Sequence, residues 1–135
     1  MPRTESERNV LLSRGESAVV ERKRTTGERR EAMQTVCAFL HGHGGLVVIG
    51  VRPDGRVEGQ QVSDQTLRDV AEKLDGFAPP CVVPLDRLRL GNGREALFLT
   101  VAPVADAIPF SFEGRSCKRV GSTTRQMTDS PRLGE

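Results

Sequence analysis

The run from Met33 to Gly55 constrains the fold more than any other part of the chain. Met33, Val36, Cys37 and Leu40 recur at i, i+3, i+4 and i+7, which places them on one face of a helix. Thr25 and Glu28 have capping-box spacing, so the helix is expected to start there. Gly44-Gly45 stops it, because glycine takes the left-handed conformation of a helix C-cap at little cost. Leu46 to Val51 is then an uninterrupted apolar stretch, predicting a strand buried on both faces. Pro53-Asp54-Gly55 supplies a tight turn into a short strand from Arg56 to Gly59. A helix, a buried strand and a turn in direct succession predict an α/β domain.

The flanking segments extend that pattern. Val19 and Val20, followed by Glu21-Arg22-Lys23-Arg24, read as a short strand leaving the core. Ser63 is a good N-cap for a second helix, in which Leu67, Val70, Ala71 and Leu74 repeat the helical spacing until Gly76. Leu88 and Leu90, Gly91-Asn92-Gly93, and Ala96 to Val101 read as a hairpin. A last strand is expected near Ser116 to Val120. Residues 1–14 read as an N-terminal arm or short helix, and residues 129–135 as a flexible tail.

The 135 residues suit one domain with its own core. Aromatic residues make up only 4% of the chain, so that core must be mainly Val, Leu, Ile and Ala, and a base-stacking platform is disfavoured as the main binding device. The net charge of +2 is too small to diagnose a nucleic-acid partner, but its distribution is uneven. Arg115 to Arg125 carries four cations and no acid, whereas Asp54 to Asp75 carries six acids against three bases. One basic and one acidic face are expected, with a mixed solvated surface as the alternative. Cys37, Cys81 and Cys117 are odd in number and widely spaced. With no secretory signal and no apolar run long enough for a membrane, a reduced, cytoplasmic setting is expected, and no membrane partner.

Candidate chemistry falls on three segments. Glu16, Glu21 and Asp54 are carboxylates that could share Mg²⁺ or Mn²⁺. Glu16 and Glu21 are five apart and would face opposite ways in a regular strand, so convergence needs Glu16 in a loop, which Gly15 permits. The alternative is surface carboxylates with no shared role. Strand alternation puts Lys23 on the Glu21 side and Arg22 and Arg24 opposite, where Lys23 could pair with a phosphate; a charged edge that resists aggregation is the competing reading. In the third segment, Lys118, Arg119, Ser122, Thr123 and Arg125 offer hydroxyl and cationic donors to a phosphate, against the alternative of a polar loop after the last strand. Cys37 and His41 have helical i, i+4 spacing, but Cys37 lies on the apolar face, so no zinc site is expected and His41 and His43 read as cationic caps of the helix C-terminus. No P-loop or dinucleotide fingerprint is present.

In order and spacing, Gly15-Glu16-Ser17 with Val20-Glu21-Arg22-Lys23, then Ala38 to Val51, then Ile108-Pro109-Phe110 with Lys118 to Thr124, resemble the Schlafen-type AlbA-like domain over residues 15–128. The resemblance implies a single compact domain, a mixed β-sheet with two main helices packed on it, and DNA or RNA binding. It further implies metal-dependent endoribonuclease chemistry on structured RNA such as tRNA. Glu16 and Glu21 would be metal ligands with Asp54 as the third acid, Lys23 a catalytic phosphate partner, and Lys23, Arg24, Lys118, Arg119, Ser122, Thr123 and Arg125 the nucleic-acid contacts. Mg²⁺ or Mn²⁺ would be the cofactor, and a homodimer would supply the second lobe found in Schlafen nuclease cores. The chain departs from the family pattern at Arg22, where a Phe is usual, and at Arg52-Pro53, where the family places aspartates. A non-catalytic interaction module that dimerises is the alternative.

Overall fold

The computed structural model describes residues 19–103 and 109–127. Glu16, the arm over residues 1–14 and the tail over residues 129–135 lie outside them. A four-stranded mixed sheet has the order β1-β2-β5-β4, formed by β1 (Val20–Lys23), β2 (Gly45–Ile49), β4 (Leu85–Arg89) and β5 (Glu95–Val101). β1 runs parallel to β2, and the other two pairings are antiparallel. Helices α1 (Arg29–Leu40) and α2 (Asp64–Leu74) accompany it. Two short antiparallel pairs complete the fold: β3 (Phe77–Ala78) with β6 (Ser111–Phe112), and β7 (Cys117–Val120) with β8 (Thr123–Gln126).

The expected helical face is the one that buries. Met33, Val36, Cys37 and Leu40 pack with Val47, Ile49, Leu97, Leu99 and Val101 from one face of the sheet. Leu46, Val48, Ala96 and Phe98 form a second buried cluster from the alternate positions. The apolar run 46–49 is thus buried on both faces, as its lack of alternation predicts. Only Val70 of α2 is fully buried, so that helix lies with most of its surface in solvent.

The paired glycines do more than end a helix. Gly44 has φ +77°, and a Cβ there would overlap the Val101 carbonyl oxygen. A Cβ on Gly45 would sit 2.7 Å from the Phe39 ring and 2.8 Å from the Val19 carbonyl. The chain therefore enters β2 pressed against both neighbouring segments, which only residues without side chains allow.

Three local expectations are corrected. Thr25 caps a short 3-10 turn, Thr26–Glu28, with the α-helix starting at Arg29. The Glu28 carboxylate accepts from the Arg24 backbone N–H at 2.9 Å, one residue earlier than a capping box requires. The segment Arg56 to Gly59 forms only a bridge from Val57 to Val51, because Gly50, at φ +113°, turns the chain out of the sheet. The expected last strand is followed by one more, the return strand β8, where the alternative reading had a polar loop. Ser63 does form the second cap, reciprocally with Thr66.

Candidate nucleic-acid interface

Strand alternation sorts the charges of β1. Glu21 and Lys23 pair in register with Val47 and Ile49, on the α1 side of the sheet. Arg22 pairs with Val48 on the opposite side, as the alternation predicts. Lys23 Nζ lies 3.5 Å from Glu21 Oε2.

A second partner of Glu21 among the described residues comes from the far end of the chain. Arg119 Nη1 donates to Glu21 Oε1 at 2.6 Å and to Thr124 Oγ1 at 2.9 Å, and Nη2 donates to the Val20 carbonyl at 3.2 Å. Its guanidinium lies over the Phe39 ring, 5.2 Å from the centroid. With side-chain exposures of 6% and 9%, Arg119 and Glu21 form a nearly buried ion pair. The Thr124 and Thr35 hydroxyls are 2.7 Å apart, and Thr35 donates to the Glu31 carbonyl. Because Arg119 can only donate, the protons run from Arg119 to Thr124 to Thr35 to the α1 backbone. One guanidinium thus ties β1, α1, β7 and β8 together.

The same alternation faces the neighbours of Arg119 outward. Lys118 sits directly opposite Arg125 across the β7–β8 pair, and Val120 opposite Thr123. All four are exposed, as is Ser122 at the turn. Like charges directly opposite across an antiparallel pair are destabilising. No acid lies on either strand. Neither Lys118 nor Arg125 has an ion-pair partner among the described residues.

Asp54 stands elsewhere. It is exposed in the turn after β2, where Oδ1 accepts from the Arg56 backbone N–H at 3.0 Å and Oδ2 lies 3.8 Å from Arg52 Nε. The Arg56 N–H, more than the nearby arginines, holds its carboxyl below the usual aspartate value. Arg24 lies beyond the end of β1, with its guanidinium 3.9 Å from Glu58. Of the three expected metal ligands, Glu21 faces two cations, Asp54 is held by its own turn, and Glu16 lies outside the described residues. Among the described residues no group of three or more His, Cys, Asp and Glu side chains is placed to hold a metal ion.

His41 replaces an expected cation with a neutral staple. Its Nε2 accepts the Phe110 backbone N–H at 2.7 Å, so Nδ1 carries the proton and donates to the Cys117 carbonyl at 2.8 Å. The ring thereby fixes β7 against the end of α1. Burial pushes the Cys37 thiol up to about 11, leaving it an inert core group.

The family model described as Schlafen, AlbA_2 matches residues 16–128. The chain belongs to this family. Its fold is similar to that of the DIP2311 protein of Corynebacterium diphtheriae, with a TM-score of 0.63 and 17% identity over 93% of this chain. The chain spans only 30% of that protein's length. It is also similar to the N-terminal domain of a DNA helicase RecG-related protein from Nitrosomonas europaea, with a TM-score of 0.59 and 23% identity, covering 88% of this chain and 92% of that one. No curated protein matches the chain. The two solved structures share the fold of this chain, and the family match spans its mixed sheet and both helices. Among the described residues, no helix is long and apolar enough to cross a membrane.

Proposed function

We propose that this AlbA_2 domain binds nucleic acid through phosphate contacts made by the outward face of the β7–β8 hairpin. The observation that carries this is the placement of Lys118 directly opposite Arg125, exposed and with no acid on either strand. A bound phosphate between the two cations would turn their repulsion into attraction. Ser122 and Thr123 at the turn add hydroxyl donors to the same face. The family, and the helicase-related protein in which one similar domain occurs, support the reading. Arg119 contributes by holding the hairpin in place rather than by touching the ligand.

Salt dependence tests it. Fluorescence anisotropy with a labelled oligonucleotide should show affinity falling steeply with salt, and Lys118→Ala with Arg125→Ala should reduce the log–log slope by about 1.4–1.8 for two lost phosphate contacts. Binding that is indifferent to salt, or a slope unchanged in the double variant, removes the proposal.

The proposal is binding without metal-dependent cleavage, because each Glu21 oxygen faces a cation that a divalent ion would have to displace. Cleavage of tRNA by the wild type with Mn²⁺ or Mg²⁺, abolished in Glu21→Gln, would put the endoribonuclease reading in its place. Val120, 46% exposed on the hairpin's outer face, favours one competing reading, a dimerising interaction module. Light scattering that shows a dimer, together with no oligonucleotide affinity, would select it.

A further inference from the structure

The far face of β1 holds a second basic feature. A hollow of about 280 Å³ is lined by Arg22, Arg24, Glu28, Val51, Arg52 and Pro53. Three separate pieces of local structure bring its arginines together. Alternation along β1 sends Arg22 to this side, with Nη1 resting 2.9 Å from where a Cβ on Gly55 would stand. Arg24 follows the end of the strand, its backbone N–H fixed by Glu28. Arg52 opens the turn closed by Gly55 N–H to the Arg52 carbonyl and by Arg52 N–H to the Arg56 carbonyl, at 2.8 and 2.9 Å. Arg22 and Arg52 are two of the positions at which the chain departs from the family pattern, and both face this hollow.

The carboxylates near the hollow leave two of these guanidinium groups loosely engaged. Arg24 and Arg52 approach the same Glu58 oxygen at 3.9 and 4.0 Å, and Arg52 approaches Asp54 at 3.8 Å. None of these is a hydrogen bond. The Glu58 Oε2 atom is buried and accepts no hydrogen bond from any described residue. By contrast, Arg87 grips Glu95 with two hydrogen bonds of 2.8 and 2.9 Å. The side chains of Arg24 and Arg52 are 58% and 38% exposed, so an incoming group can reach them.

We propose that this hollow is a site for a single phosphate group, bound as a phosphomonoester dianion. The planar guanidinium fork matches phosphate oxygens and gives short, charge-assisted hydrogen bonds in place of contacts near 4 Å. Glu28 and Glu58 limit the negative charge the site accepts, which disfavours di- and triphosphates. The group is either free phosphate or the phosphorylated end of a nucleic-acid strand; only the second source rests on the proposed nucleic-acid binding.

The test follows the arginine Nε–Hε resonances of the wild-type protein by NMR during a titration with inorganic phosphate, at a pH at which the phosphate is mainly the dianion. Saturable shifts at Arg24 and Arg52 are expected, absent with chloride at equal ionic strength. Equal, non-saturating responses to both salts overturn the site. In a second arm, an end-phosphorylated oligonucleotide should bind about tenfold more tightly than its hydroxyl-ended twin, an advantage lost in Arg22→Phe and in Arg52→Gln. Saturable phosphate binding with equal or no oligonucleotide affinity supports the site with free phosphate as its ligand. Oligonucleotide binding without any phosphate response overturns the site and leaves the hairpin interface standing.

Discussion

Glu21 and Asp54 were both expected to be metal ligands, and the structure puts them in opposite physical situations. Glu21 is buried, and among the described residues it is paired with a guanidinium 98 residues away. Asp54 is exposed and bonded to a backbone N–H two residues on. One carboxylate fastens distant parts of the chain; the other shapes its own turn. A carboxylate's role therefore depends on which face of which element it occupies and on what the fold brings to that face. Glu21 gains its partner because β1 alternation points it toward the side on which β7 returns.

The sharpest way to break this comparison is Glu21→Ala. Removing one member of a buried pair leaves the other charge unsatisfied, at a cost of about 3–5 kcal/mol. Urea unfolding should show the midpoint falling accordingly, whereas Asp54→Ala should move it very little. Comparable small losses in both variants would mean that the Arg119 contact is not structural. The second test is a double-mutant cycle. Glu21→Gln combined with Arg119→Met should cost less than the sum of the single changes, with a coupling of about 1–3 kcal/mol. Independent, additive losses would separate the two residues energetically.

Much of the Glu21 side of this contrast was legible in the sequence. The helical spacing of Met33, Val36, Cys37 and Leu40, the stop at Gly44-Gly45 and the unbroken apolar run after it fix the elements around β1, because burial leaves its period in the residue order. Alternation also separated Lys23 from Arg22 and Arg24 correctly. Only half of the hairpin was legible: a last strand near Ser116 to Val120 was expected where β7 runs, but the return strand β8 was not. On β8, Arg125 faces outward and Thr124 inward, so no apolar alternation marks it. The partner of Glu21 was hidden for a different reason: an ion pair spanning most of the chain has no spacing signature. Glu28 shows the limit of local signals, since its carboxylate answers to Arg24 rather than to the capping residue that the spacing indicated.

The turn side of the comparison is sharpened by Gly55→Ala. Gly55 has φ +91°, and an added Cβ would also meet the Arg22 guanidinium at 2.9 Å. The side chain can yield, but the backbone cannot relax without opening the turn. A loss of about 1–2 kcal/mol is expected from the conformation alone. If thermal unfolding shows no change, the turn is not held in that geometry, and the Asp54 bond to Arg56 loses its structural meaning.

The smallest expected effect is the most specific to Asp54. Its carboxyl is held below the usual value by the Arg56 N–H, which donates only to the folded, ionised form at full strength. A depressed carboxyl contributes stability that is present above its unfolded pKa of about 3.9 and fades as the pH falls through the lower folded value. Asp54→Asn keeps an oxygen acceptor for the Arg56 N–H but cannot titrate. The stability difference between wild type and Asp54→Asn should therefore be flat at neutral pH and shrink only below about pH 4. Both proteins should unfold with nearly the same midpoint at the acid end, measured by urea titration at a series of pH values. A difference that instead changes between pH 5 and 7 would point to another titrating group at the turn and would end the account of Asp54 as a purely local residue.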